Sequence, residues 1–336
     1  MFRVTALLGI GATVFSMHAV AQSRELLPTI YEAGHFYATP QLPNGKAMRL
    51  LVDTGGAGGS GMYAIDSASA RRLGLEVTPC AVDDEKIQII EPPPFLPGKG
   101  LPTSTHTPCG AAAIVLKGLG GDVDGEDGLL GAGYLPGHIW TFDYPGHKLW
   151  LEPKNWRPPA RAHRTALGFQ QNAKGEPTSG LSRITLTVDG QPLDLLLDTG
   201  ATAKPTTAGE QASGTPTEHG TGVTSYITTS VLNRWHQQHP DWRVVADGDA
   251  LSSPRATRLI EVPTVKIAGW DVGPVWFTER PDANFDAERG IARYMDKEVA
   301  GAAGGNIFRH FAMTIDYPNQ AAWFLCASQC RNNYGN

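Results

Sequence analysis

Beyond the N-terminal leader, the chain lacks any apolar run long enough to cross a bilayer, which excludes a helical membrane protein. An excess of basic charge is missing as well. The 28 Lys and Arg face 33 Asp and Glu, and a formal charge of −5 leaves no electrostatic reason to bind nucleic acid or an anionic membrane. There is no Gly-x-Ser-x-Gly nucleophile elbow and no His-Glu-x-x-His, so the commonest serine and zinc hydrolases are removed. Long helical periodicity is scarce. With 39 glycines and 25 prolines in 336 residues, the composition favours β structure with many turns, and the length suits two lobes better than one core.

Cysteine is sparse: Cys80, Cys109, Cys326 and Cys330. "CASQC" lacks a second close ligand pair, so no metal is expected there. The chain opens "MFRVTALLGIGATVFSMHAVAQS", with Arg3 as a basic head, an apolar stretch from Val4 to Phe15, and the small-x-small "AVA" at Ala19 to Ala21. This pattern predicts a signal peptide over 1–21, cleaved near Gln22, and a periplasmic or secreted protein. An even cysteine count in an oxidising compartment then suggests two disulfides. Pairing nearest neighbours, Cys80 with Cys109 and Cys326 with Cys330, is the economical arrangement, although spacing alone leaves the connectivity open.

What is present is a repeat. "LLVDTGGA" at 50–57 and "LLLDTGAT" at 195–202 place two Asp-Thr-Gly triplets 145 residues apart. In that register "NGKAMRLLVDTGG" lies over "DGQPLDLLLDTGA" without a gap. Asn44-Gly45 and Asp189-Gly190 are both strong two-residue hairpin turns. Each copy therefore reads as strand, tight turn, apolar strand, Asp-Thr-Gly. The halves also end alike: "TFDYPG" at Thr141 to Gly146 matches "TIDYPN" at Thr314 to Asn319, each followed by a tryptophan, which predicts a second hairpin per half. One helix is expected per half, the first capped by Asp66 and ended at Leu73-Gly74, the second in "TTSVLNRWHQQHPDW". The proline-rich 156–168 segment reads as an interlobe linker between lobes at 22–155 and 169–336. The small, polar segment 203–222 reads as a disordered insertion.

These motifs resemble the aspartic peptidases of the pepsin and retropepsin type. "DGLLGAGY" at Asp127 to Tyr134 is close to the pepsin-type phrase, and "VDTGGAGGSGMYAIDSASARRLGLEV" looks more like the bacterial retropepsin-like version. The resemblance implies an all-β, bilobal acid-protease fold built from two duplicated lobes. It also implies Asp53 and Asp198 as the catalytic pair, supported by Thr54, Gly55, Thr199 and Gly200, with no cofactor. The implied substrate is a peptide or unfolded protein, bound in a cleft between the lobes. The fused lobes make a dimer unnecessary, so a monomer is expected. A non-catalytic peptide-binding protein of the same fold is the alternative.

The chemistry needs that arrangement irrespective of family. Two close carboxylates cannot both ionise, so they share a proton over a wide acidic range, one acting as base on a water and the other as acid. Two departures stand out. Pepsin-like enzymes place a hydroxyl residue after the triplet; here Gly56 and Ala201 stand there, which predicts a less acidic optimum, roughly pH 4 to 6. The first-lobe excursion from Glu85 to Gly110 has no flap tyrosine, leaving Phe95 as its aromatic and Gly98 and Gly100 as a hairpin tip. Other candidates have plainer readings. "GGDVDGEDG" at 120–128 lacks full calcium-loop spacing, His236 and His239 lack a third ligand, and Trp140, Trp150 and Trp323 read as packing residues.

Overall fold

The computed structural model describes residues 23–56, 61–82, 85–104, 107–119, 125–251 and 255–332. The expected leader at 1–21 lies outside them, as does most of the acidic loop at 120–128. The chain is all-β and bilobal. An eight-stranded sheet builds the first lobe, a ten-stranded sheet builds most of the second, and a six-stranded sheet joins the two.

The joining sheet displays the duplication. Strand Ile139–Asp143 runs antiparallel to Phe311–Asp316, with Thr141 opposite Thr314 and their hydroxyls 2.8 Å apart. Those threonines are equivalent positions of the repeat, so a pseudo-twofold axis passes between them. Each strand also pairs with its own hairpin partner, Lys148–Glu152 or Ala321–Cys326. Trp140 is fully buried at this junction and donates from Nε1 to the Leu135 carbonyl at 2.8 Å.

Each lobe repeats one unusual crossing. Strand Leu50–Val52 lies parallel to Gly128–Leu130, which is itself antiparallel to Tyr63–Asp66. In the second lobe Gln191–Leu197 lies parallel to Gly301–Ala303, which is antiparallel to Ser225–Thr228. The aspartate-bearing strand is thus flanked by an inserted strand. The inserted strand takes the aspartate's own amide: Asp53 donates to Leu130 O at 3.0 Å and Asp198 to Ala303 O at 2.9 Å.

Helix Ser67–Leu73 begins where Asp66 accepts from the Ala68 amide at 2.7 Å and ends at Gly74 in the left-handed region, as its sequence predicts. Three expectations need correction. The second lobe holds three helices among its described residues, Thr207–Ser213, Thr229–Gln238 and Gly305–Phe308, rather than one. The first of these lies inside 203–222, which is ordered. Thr202–Ala203 pairs with Gly222–Val223, Thr206 caps the helix by accepting from Gly209, and Thr206 also donates to Asp247 O. Small polar composition was a poor guide because backbone pairing and a cap hold the segment, and neither needs large apolar side chains. The expected linker is also not a plain linker. Its residues His163–Ala166 form a strand on Ala321–Cys326, and His163 stacks on Trp270 with ring centroids 4.2 Å apart.

Both disulfides join nearest neighbours, Cys80 to Cys109 and Cys326 to Cys330. Such bonds suit an oxidising extracellular or periplasmic setting. No helix of the described residues is long and apolar enough to cross a membrane.

Candidate active site

Two apolar strands end in the two aspartates. Leu50, Val52, Leu195 and Leu197 are buried without exposure, so the strands enter the core and release the chain only at Asp53 and Asp198. The two loops then meet across the lobe junction. Thr54 donates from its hydroxyl to Leu197 O at 2.7 Å, and Thr199 donates to Val52 O at 2.6 Å. In return, the Thr54 amide donates to Thr199 Oγ1 at 3.1 Å and the Thr199 amide to Thr54 Oγ1 at 3.0 Å. Both threonines are buried, so each of these four bonds replaces hydration that is unavailable there.

The glycines bring the carboxyls together. A Cβ on Gly55 would sit 2.5 Å from Asp198 Cγ, and one on Gly200 would sit 2.3 Å from Asp53 Cγ. Each glycine therefore lies against the other lobe's carboxyl, and a side chain there would drive the pair apart. The Gly55 amide donates to Asp53 Oδ1 at 2.9 Å and the Gly200 amide to Asp198 Oδ1 at 3.0 Å, which fixes both carboxyl planes. Gly56 is equally constrained, because its Cβ would lie 2.2 Å from Asp53 Oδ2. A serine could not enter there without moving the carboxylate.

Asp198 is 8 % exposed and Asp53 is half-buried. Burial pushes Asp198 well above the usual carboxylate range, and the neighbouring Asp53 charge pushes it the same way. Burial also raises Asp53, opposed by a hydrogen bond from Asp198 and by the amides of Gly55, Gly56 and Gly200. The two titrate as one unit that holds a proton. Two further phenols lie close by, Tyr144 and Tyr317, equivalent in the repeat: burial raises both, followed by Tyr31 and then the Asp198 charge for Tyr144, and by the Asp53 charge for Tyr317. That pattern runs crosswise between the lobes.

Sequence reasoning missed the residues that hold the chain just past Asp198. Thr202 donates its amide to Tyr226 Oη at 2.8 Å, and its carbonyl accepts from Tyr226 at 2.6 Å and from Arg280 Nη2 at 3.3 Å. Arg280 also stacks on Tyr226 at 4.4 Å and pairs with buried Asp249 at 2.7 Å. The His35 ring reaches Thr202 Oγ1 at 3.2 Å from the first lobe. These partners come from distant strands, and no local pattern announces them.

The expected flap residues stand elsewhere than on a hairpin. Pro92, Pro93 and Pro94 carry no N–H to pair, and the β-hairpin of this excursion forms earlier, from Thr78–Val82 and Glu85–Ile90. The turn at Gly98 is tied to the body of the lobe, with Gln41 N donating to Lys99 O and Leu96 N to Gln41 O. Phe95 packs on the core, and a Cβ at Gly100 would lie 3.0 Å from it. His239 pairs with Asp189 at 2.9 Å and stacks on Trp242. Among the described residues, no three His, Cys, Asp or Glu gather where a metal could be held.

A cleft of about 740 Å³ opens beside Gly56 and runs between the lobes, with Ala132 and Pro136 on one side and Gly180, Leu181 and Tyr294 on the other. None of the described residues lining it is charged. No family model matches the sequence, and no curated protein does. Among solved structures, basic 7S globulin from soybean is similar over 91 % of this chain and 95 % of its own, at 11 % identity and a TM-score of 0.41. That likeness is too remote to bear on activity.

Proposed function

We propose that the chain is an aspartic endopeptidase that hydrolyses peptide bonds with a water activated by Asp53 and Asp198. One observation carries this reading: each carboxyl lies against the other lobe's triplet glycine, within loops locked by reciprocal threonine bonds. The ionised carboxylate takes a proton from the water as it attacks the scissile carbonyl, and the protonated one donates to the carbonyl oxygen. The tetrahedral diol then collapses: the proton gained from water passes to the leaving nitrogen, and a diol hydroxyl returns its proton to the carboxylate that had protonated the carbonyl oxygen. Both carboxyls return to their shared-proton state, and the cycle calls for no metal or cofactor. Export through the leader, a peptide or unfolded-protein substrate and a monomeric state complete the proposal.

The test is cleavage of a denatured protein by the purified chain between pH 2 and 8. Because burial raises both carboxyls, activity is expected to peak at roughly pH 4 to 6, above the ordinary aspartate value of about 3.9. The alkaline limb marks loss of the shared proton. A kcat/KM profile peaking near pH 2 removes the proposed pH dependence, and binding without products at any pH removes the catalytic reading.

Mapping the cut sites by mass spectrometry gives a second check. The described residues lining the cleft offer a charged side chain no partner to offset its desolvation. Cuts are expected next to bulky apolar residues and to avoid acidic or basic ones. Sites enriched in Lys or Glu contradict this assignment of the cleft.

A further inference from the structure

The turn joining strands Thr29–Glu32 and His35–Ala38 belongs to the first lobe, yet it docks into the second. The Val223 amide donates to Ala33 O at 3.0 Å, and a Cβ on Gly34 would overlap Val223 at 2.2 Å. Its neighbour His35 is 2 % exposed. Burying an imidazole there costs free energy unless its polar atoms are met. The second aspartate's loop meets Nε2, with the Thr202 hydroxyl 3.2 Å away.

The proton count decides the direction of these bonds. Thr202 Oγ1 has one proton and gives it to Gly200 O at 2.8 Å, so it can only accept from His35. His35 Nε2 therefore carries a proton and donates to Thr202. The charged and titratable groups around the ring are Arg49, which stacks on Tyr37 and pairs with Glu32, and Tyr37 itself. Burial, with Arg49 adding to it, brings His35 down to about 4, so the ring is neutral above that pH. A second contact crosses the other way, with Gly180 of the second lobe against the Ala132 carbonyl of the first.

We infer that His35 is a positioning residue that holds the loop Gly200–Thr202, and through it the Asp198 carboxyl, at the angle the dyad requires. The logic follows from the bonds already described. Gly200 N fixes Asp198 Oδ1, and Gly200 O is held by Thr202, which is held in turn by His35. A first-lobe side chain thus sets the orientation of a second-lobe carboxyl, so relative motion of the lobes is coupled to the geometry of the dyad. This inference rests on the endopeptidase reading for its catalytic consequence, though not for the latch itself.

The test compares His35→Leu, His35→Gln and Thr202→Val in the full chain. Thr202→Val removes the hydroxyl alone and leaves the Tyr226 and Arg280 bonds to the Thr202 backbone. Both His35→Leu and Thr202→Val should lower kcat about 10- to 100-fold with KM little changed, the effect of a small misalignment of reacting groups. His35→Gln, which keeps a donor, should recover part of that loss. The double variant should be no worse than the worse single, because both remove one connection. Independently of activity, amide exchange at Thr202 and Val223 should quicken in His35→Leu while the lobe cores stay protected. Additive losses, or activity falling only in step with thermal stability, overturn the inference. Quickened exchange in a chain whose wild type cleaves nothing upholds the latch and removes the endopeptidase reading instead.

Discussion

Asp198→Asn is expected to abolish cleavage while making the folded chain more stable near neutral pH. Losing a group that serves as both acid and base should cost about 10²- to 10⁴-fold in kcat/KM. The stability gain follows from the direction of the pKa. Asp198 is raised by burial and by Asp53, so the folded state binds its proton more tightly than the unfolded chain does. Such a group contributes most below its unfolded value of about 3.9, and that contribution is lost as pH rises through the folded value. Near pH 7 the native fold therefore bears a cost for keeping the two carboxyls together. Asparagine removes that cost and can still donate to Asp53 from a side chain of the same shape. Melting should thus occur at higher temperature than wild type at pH 7, with the difference fading below about pH 4 as the unfolded carboxyl protonates. Asp53→Asn should act alike on cleavage. If either variant cleaves within ten-fold of wild type, or if Asp198→Asn melts lower at pH 7, the shared-proton assignment is wrong.

The pair itself was legible in the sequence because everything that delivers it is contiguous. A hairpin turn, an apolar strand and Asp-Thr-Gly occupy about a dozen residues in each half, and the second hairpin repeats Thr-apolar-Asp-Tyr-Pro. Copying such a local pattern copies its geometry, so even the pseudo-twofold contact of Thr141 with Thr314 follows from the register. The surroundings were not legible. His35 meets Thr202 from 167 residues away, and Arg280 reaches Thr202 from 78. Neither lies in a repeated phrase. The insertion misled for a different reason. Its order comes from a threonine cap, a short backbone pairing and close contact of Gly209 with the Gly248 carbonyl, none of which requires apolar side chains. The flap expectation failed at the three prolines, whose missing amides exclude the ladder that a hairpin needs.

Arg280→Met is expected to be among the most destabilising single changes in the second lobe, by about 3 to 5 kcal/mol. Asp249 is 1 % exposed and Arg280 3 %, and their bond is 2.7 Å long. Asp249 also accepts from the amides of Lys204 and Leu251, so its carboxylate anchors the strand leaving Thr202. Removing the guanidinium leaves that carboxylate buried with no counter-charge, and the penalty of an unpaired buried ion exceeds what the pair contributes as a whole. For a unit of this size the melting temperature should fall by roughly 6 to 20 °C. The reciprocal change Asp249→Leu should destabilise similarly, because it strands the cation. Together, Arg280→Met and Asp249→Leu should recover part of the loss, since an apolar pair leaves no charge to solvate, while the Lys204 and Leu251 amides still lack their acceptor. Additive losses in the double variant, or less than about 1 kcal/mol in either single, would show that the ion pair is not what secures this strand. The double variant also separates stability from alignment. Its Thr202 carbonyl still lacks the Arg280 bond, so a refolded, partly restored chain that remains slow at saturating substrate would assign Arg280 to setting the Asp198 loop as well as holding the lobe together.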